Sequence, residues 1–167
     1  MRALVKSVVI ADPEKCVGCG YCEMACSLKN EGVFSKQLSR IRVVRLPLFI
    51  DVAVTCRLCE KPPCVRSCPR RALRQDERTG VIVVDESKCT GCGWCIEACD
   101  FGALMLHPER KVVVACNLCD GDPECVKYCQ LEALEFTTLD KLAYKARESK
   151  VLAKMMEIYE ERRALKS

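Results

Sequence analysis

Sixteen cysteines, arranged in four groups of four, are the residues of this 167-residue chain whose type and spacing point to chemistry. The first group reads Cys16-x2-Cys19-x2-Cys22-x3-Cys26 and the third Cys89-x2-Cys92-x2-Cys95-x3-Cys99. The second, Cys56-x2-Cys59-x4-Cys64-x3-Cys68-Pro69, and the fourth, Cys116-x2-Cys119-x5-Cys125-x3-Cys129, widen only the middle gap. Three thiolates on a tight loop wrap three iron corners of a [4Fe–4S] cubane. The fourth, one helical turn past the third, points away and ligates a neighbouring cluster. Gly18, Gly20, Gly91 and Gly93 suit such loops, since glycine takes positive φ and lets backbone approach sulfide closely. The spacing therefore predicts four [4Fe–4S] clusters. Structural zinc takes C-x2-C pairs on a longer spacer and has no need of a trailing x3 cysteine. Radical chemistry at a cluster needs C-x3-C-x2-C, and no x3 pair here has a third cysteine at that distance.

Cysteine makes up roughly a tenth of the chain, the level of a crosslinked or metal-stapled scaffold. Only nine residues are aromatic, so coordinate bonds must supplement a thin apolar core. Disulfides would suit a secreted framework. The stretch Met1–Lys15, however, has neither a long apolar run nor a small-residue cleavage site. No run approaches the roughly 18 apolar residues of a membrane span. A cytoplasmic protein with reduced thiols is expected, or one exported beside a partner that carries the signal. The formal charge of +4 counts cysteine as neutral. Four oxidised cubanes with their thiolates add roughly eight negative charges and bring the loaded protein to about −4. The basic balance thus gives no reason to expect nucleic acid.

The chain is internally duplicated, each half carrying a compact motif and then a widened one. Twenty-nine residues separate Cys26 from Cys56 and sixteen separate Cys99 from Cys116, which leaves a 13-residue excess in the first half, within Lys29–Pro47. Between Cys68 and Cys89, Pro69 ends a helix, Ala72–Arg74 and Val81–Val84 read as strands, and Thr79-Gly80 supplies the turn. That connection is similar to the one inside a two-cluster ferredoxin, where motifs exchange their fourth cysteines. It puts Cys56, Cys59, Cys64 and Cys99 on one cluster and Cys68, Cys89, Cys92 and Cys95 on another. By exclusion, Cys16, Cys19, Cys22 and Cys129 hold a third, and Cys26, Cys116, Cys119 and Cys125 a fourth. Pairing of sequence neighbours, one with two and three with four, is the competing assignment.

Further strands are expected at Ser7–Ala11, Ile41–Arg45, Val52–Thr55, Leu104–Leu106, Val112–Ala115 and Leu134–Phe136, and short helices at Cys22–Leu28 and Cys95–Cys99. The fold class is α+β: residues 1–137 form two nested ferredoxin-like modules, from motifs one and four and from two and three. Residues 138–167 lack cysteine, glycine and proline and read as one helix capped by Thr138. Leu139, Leu142, Ala146, Leu152, Met155, Met156 and Tyr159 lie along one face of it, packed on the cluster domain or on a partner.

The runs Cys56-Arg-Leu-Cys-Glu-Lys-Pro-Pro-Cys-Val-Arg-Ser-Cys-Pro69 and Cys116-Asn-Leu-Cys-Asp-Gly-Asp-Pro-Glu-Cys-Val-Lys-Tyr-Cys129 resemble the second and fourth motifs of four-cluster polyferredoxin subunits. These accompany molybdopterin and tungstopterin oxidoreductases, including dimethyl-sulfoxide-reductase-like enzymes, as well as hydrogenases and carbon monoxide dehydrogenases. The resemblance covers about residues 5–137 and implies the one–four and two–three pairing as well. The stretch from Cys26-Ser-Leu-Lys-Asn-Glu-Gly-Val-Phe to Leu-Ser-Arg-Ile-Arg-Val44 is similar to subunits beside tungsten aldehyde oxidoreductases and carbon monoxide dehydrogenases. It implies a non-catalytic subunit relaying single electrons between a larger catalytic subunit and a soluble ferredoxin or other acceptor. A free polyferredoxin is the alternative. Where family members often carry proline after each final cysteine, Ser27, Asp100 and Gln130 stand here, and Asp100 is expected to lower a potential.

Arg57, Lys61, Arg66, Arg70, Arg71, Arg74 and Arg78 crowd the second motif, against Glu60, Asp76 and Glu77. They form either a solvated face balancing cluster charge or a docking face for an acidic ferredoxin. Trp94 is expected to shield the third motif's cluster from water, and His107 to sit at the surface in a turn before Pro108. An anaerobic preparation of the chain should be brown, absorbing near ~400 nm as thiolate-bound iron clusters do; a colourless, zinc-containing preparation would overturn this reading.

Overall fold

The computed structural model describes residues 6–46, 50–147 and 150. Short strands flank the cysteine motifs and pair two by two, all antiparallel. In chain order they are β1 (Ser7–Ala11), β2 (Arg42–Leu46), β3 (Ile50–Val54), β4 (Leu73–Gln75), β5 (Ile82–Val84), β6 (Met105–Leu106), β7 (Val113–Val114) and β8 (Leu134–Thr138). All eight expected strands form, within two residues of their expected limits. β2 pairs with β3 between motifs one and two, and β6 with β7 between motifs three and four. β4 follows motif two and pairs with β5, which precedes motif three. β8 follows motif four and pairs with β1, which precedes motif one, Ser7 opposite Thr138 and Ala11 opposite Leu134. The last two pairings are equivalent. One is closed by a turn, and the other draws distant parts of the chain together.

Four helices, α1 (Tyr21–Glu31), α2 (Pro63–Arg66), α3 (Trp94–Glu97) and α4 (Glu124–Lys127), carry the third cysteine of each motif. Three are single turns. α1 runs eleven residues; Ser27 permits this where a proline would break the helix, although Asp100 and Gln130, also in place of proline, follow helices of a single turn. The fully buried Ser27 hydroxyl donates to the Met24 carbonyl and accepts from the Ser35 N–H, both at 3.0 Å. Gly32, at φ 73°, ends α1 by donating its N–H to the Leu28 carbonyl. The excess of the first half is thus a longer helix and a 3-10 turn (Lys36–Leu38) leading into β2. A fifth helix, α5, spans residues 139–147, with Thr138 Oγ1 accepting from the Lys141 N–H at 3.4 Å. The expected continuation of this helix over residues 151–167 lies outside the described residues.

The core divides in two. Val8, Val9, Ile41, Ala53, Leu58, Leu118 and Leu134 pack with Cys22, Cys26, Cys116 and Cys125, and Leu142 of α5 leans on them. Ala72, Leu73, Ile82, Leu104, Val113 and Ala115 pack with Cys64 and Cys95. The buried cysteines of motifs one and four thus belong to the first core and those of motifs two and three to the second, while Leu58 of motif two packs in the first.

In all four motifs the residue before the second cysteine is left-handed: Gly18 (φ 66°), Leu58 (50°), Gly91 (65°) and Leu118 (55°). Leu58 and Leu118 fill the first core and accept the strain. At Gly91 a Cβ would lie 2.1 Å from the Lys111 carbonyl oxygen, so the β6–β7 connection can close over the loop only if no side chain is there. Gly93 is also left-handed, at φ 84°, but a Cβ there meets nothing within 4 Å. Gly93→Ala should thus cost only the left-handed backbone penalty of about 1–2 kcal/mol, and Gly91→Ala clearly more. Denaturant midpoints of the two cluster-loaded variants, compared anaerobically, check this.

Candidate metal centres

The loops and one-turn helices gather the cysteines across motifs. Cys16, Cys19, Cys22 and Cys129 line one cavity, walled by Val17, Val43, Ala53, Leu131, Ala133 and Leu134. Cys56, Cys59, Cys64 and Cys99 line a second, with Ile82, Phe101, Ala103 and Leu104. Cys125 lies in the electrostatic reach of Cys116, Cys26 and Cys119. Cys95 is likewise within reach of Cys68, Cys89 and Cys92. Each grouping joins three cysteines of one motif to the fourth of another.

The four groups also neighbour one another in a fixed order. Cys22 acts on Cys125, Cys56 acts on Cys116, and Cys95 acts on Cys64. By these neighbours the cysteine groups lie in the order Cys16/Cys19/Cys22/Cys129, Cys26/Cys116/Cys119/Cys125, Cys56/Cys59/Cys64/Cys99 and Cys68/Cys89/Cys92/Cys95. Of the sixteen cysteines only Cys19 and Cys92 are exposed, and they belong to the first and last site.

The donor set and its surroundings fit a thiolate-bound cubane. Backbone N–H groups point at sulfur: Arg40 at Cys26 Sγ and Ala72 at Cys68 Sγ (both 3.3 Å), Ala103 at Cys99 Sγ and Val113 at Cys89 Sγ (both 3.4 Å). Two of these arise from one local device. Arg71 and Gly102, three residues past a fourth cysteine, turn left-handed and close an N–H onto that cysteine's carbonyl, which aims the next N–H at its sulfur. Glu132 repeats the turn after Cys129.

Burial pushes the Cys22 and Cys116 thiols up to about 12 and those of Cys64 and Cys95 up to about 11; Cys56, Cys119 and Cys125 are raised for the same first reason. A metal-free chain therefore holds these sulfurs as neutral thiols, and iron must displace their protons.

Sequence reading left several neighbours of the site unseen. Glu31, at the end of α1, takes Arg40 at 3.2 Å and Arg110 at 3.0 and 3.4 Å, with His107 Nε2 at 3.6 Å. Burial pushes the Glu31 carboxyl up, but hydrogen bonds and charge from Arg110 and Arg40 outweigh it and hold it below the usual range. His107 is not a surface residue. It is 5% exposed, and its Nδ1 accepts from the Glu109 and Arg110 N–H groups, so its proton faces Glu31. Trp94, expected to shield a cluster, is 66% exposed, because the single-turn α3 tucks Cys95 inward and turns the indole out. An amide relay was also missed: the Cys119 N–H donates to Asn117 Oδ1 (3.1 Å), Asn117 Nδ2 to Asn30 Oδ1 (3.0 Å), and Asn30 Nδ2 to the Cys26 carbonyl (2.8 Å) and Sγ (3.7 Å). No spacing marks two asparagines 87 residues apart.

This fold and cysteine arrangement define an iron–sulfur electron carrier, and the chain belongs to the 4Fe-4S dicluster domain family, whose model matches residues 49–139. A 4Fe-4S binding domain matches residues 7–28. The polyferredoxin-like subunit of aliphatic sulfonate oxidoreductase from Pyrococcus furiosus is 45% identical over 121 residues, covering 72% of this chain and 70% of that protein. The thiosulfate reductase electron transfer subunit PhsB of Salmonella typhi is 36% identical over 150 residues, covering 80% and 77%. A chain of the active site complex BamBC of benzoyl coenzyme A reductase superposes with TM-score 0.50 at 25% identity, covering 92% of this chain and 98% of that one. The protein is a non-catalytic, electron-transfer iron–sulfur subunit of oxidoreductase complexes, with four [4Fe–4S] clusters. The clusters supply one-electron redox chemistry; the chain holds them, spaces them and excludes water. Among the described residues no helix is long and apolar enough to cross a membrane.

Because the buried thiols are raised, their protonated form contributes stability to the metal-free fold below about pH 9, lost as pH rises toward 11 and 12. Iron and sulfide incorporation should accordingly increase with pH across neutrality, as each displaced thiol proton adds to the pH slope of loading. Iron bound per chain after anaerobic reconstitution at stepped pH measures it, and a flat profile would contradict displacement of thiol protons by iron.

Proposed function

We propose that the four cysteine groups are the ligand sets of four clusters forming one linear path, and that electrons enter at one end and leave at the other. The observation that carries this is the position of the two exposed cysteines, Cys19 in the first group and Cys92 in the last. The interior groups have no exposed ligand, so transfer to an outside partner is favoured at the termini of the path. The same reading divides residues 1–137 into a module of motifs one and four and a module of motifs two and three.

The two ends differ in character. Around the first group Val17, Tyr21 and Leu131 are exposed at 62, 53 and 47%, an apolar rim suited to a lasting subunit contact. Around the last two groups Arg57, Lys61, Arg66, Arg70, Arg71 and Arg74 are exposed, and among the described residues none of them enters an ion pair. Arg57 rests over the Phe101 ring, 5.6 Å from its centre. That face suits an acidic soluble carrier such as a ferredoxin, where charge chiefly raises the association rate. The catalytic partner we assign is a tungsten or molybdenum pterin oxidoreductase. The support is the likeness to the Pyrococcus furiosus subunit and to the Cys26–Val44 stretch of subunits beside aldehyde oxidoreductases.

The native complex, isolated anaerobically, should contain about sixteen irons per copy of this chain together with tungsten or molybdenum. Nickel in their place would redirect the assignment to a carbon monoxide dehydrogenase or hydrogenase. Iron alone, with no companion subunit, would make the chain a free polyferredoxin. Reversing charge in the double variant Arg66→Glu, Arg70→Glu should slow electron exchange with an acidic ferredoxin by about tenfold or more at low salt. The difference should shrink as salt is raised; an unchanged rate would exclude this face as the docking site.

A further inference from the structure

Cys26 differs from the other fourth cysteines in what its sulfur receives. Cys68 and Cys99 each take one backbone N–H, from Ala72 and Ala103. Cys26 takes a backbone N–H from Arg40 at 3.3 Å and a side-chain amide from Asn30 at 3.7 Å. The difference follows from the long α1. Where the chain turns left-handed after Cys68 and Cys99, it stays helical after Cys26, so the residue four positions on presents its side chain to the sulfur instead of its N–H.

The direction in which Asn30 points is fixed. Asn117 Oδ1 is engaged by the Cys119 N–H, which only an acceptor can satisfy, so its nitrogen is the atom that faces Asn30. That nitrogen donates to Asn30 Oδ1, which leaves Asn30 Nδ2 facing Cys26. The relay joins Cys119 to Cys26, two cysteines of the same group. Arg40, whose N–H makes the second bond to Cys26, is held by its guanidinium on Glu31, itself anchored by Arg110.

We propose that Asn30, positioned by Asn117, raises the reduction potential of the cluster held by Cys26, Cys116, Cys119 and Cys125, so that the second station of the path is a preferred resting place for the electron. Donors on cluster sulfur stabilise the reduced form, which carries one more negative charge, over the oxidised one. This rests on the ligand reading above, in which Cys26 holds a cluster.

The test is an anaerobic redox titration of the full cluster-loaded chain, followed by electron paramagnetic resonance, with iron counted per chain. Cys26→Ser identifies the wave, by removing or displacing the signal of the cluster that Cys26 holds. Asn30→Leu, which deletes the donor, should lower that one potential by about tenfold in its reduction equilibrium, about 59 mV for one electron. Asn30→Asp, which deletes the donor and adds a negative charge, should lower it further. The other three waves and the iron count should stay as in the parent chain. If Cys26→Ser leaves four unchanged waves and full iron, the ligand reading fails and the tuning role with it. If Cys26→Ser alters one wave but both Asn30 variants leave it in place, only the tuning role fails. Loss of iron in both Asn30 variants would make Asn30 a structural residue and overturn the proposal as well.

Discussion

The structure depends on one geometric constraint: a single helical turn separates the third and fourth cysteines of every motif, and so turns the fourth away from the loop that carries the other three. No motif can surround a cubane by itself. Each must be brought against another, and the strand pairs, the two cores and the order of the four sites all follow from that need. Seven of the sixteen thiols sit where burial disfavours their charge. Metal coordination and core packing are here one process, since the sulfurs belong to both core clusters.

The asymmetry between the halves is where the duplicated design acquires direction. Ser27 lets α1 continue, and α1 carries Glu31 to His107 and Arg110 in the connection between motifs three and four, and Asn30 to Asn117 at the start of motif four. Two sites that would be equivalent by duplication thereby acquire different surroundings. A relay of identical cubanes gains a gradient only through such differences in donors, charge and exposure.

Much of this was legible in the sequence because its strongest signal is chemical. The cysteine spacing alone specifies cubane ligation, and the Thr79-Gly80 turn between two short apolar runs gives the β4–β5 hairpin directly. The paired strands alternate or run apolar over lengths that admit little else, so their positions were also readable. What escaped was set by tertiary context. Leu58, Leu118, Arg71 and Glu132 adopt left-handed backbone with no glycine to announce it. His107 precedes a proline, which reads as an exposed turn, yet Glu31 reaches it from α1 and buries it. Trp94 follows the helix-capping Gly93 and, on a helix only one turn long, has nowhere to go but outward.

The two equivalent strand pairings close over very different lengths of chain. β4 and β5 are joined by six residues, whereas β1 waits for β8, which ends at Thr138. Loop closure and contact order therefore separate them in time. As the chain leaves the ribosome, the cysteines of the inner pair of motifs are all present once Cys99 has emerged, and the rest of their core, Leu104, Val113 and Ala115, follows within sixteen residues. On the proposed ligand sets, Cys16, Cys19, Cys22 and Cys26 precede the inner motifs yet would keep unpartnered thiols until Cys116–Cys129 and β8 arrive. The sulfurs of this motif would thus wait longer than those of the inner pair, exposed to oxidation or to the wrong metal. On that pairing, a scaffold or chaperone delivering iron and sulfide would protect the nascent chain most by engaging the motif that begins at Cys16.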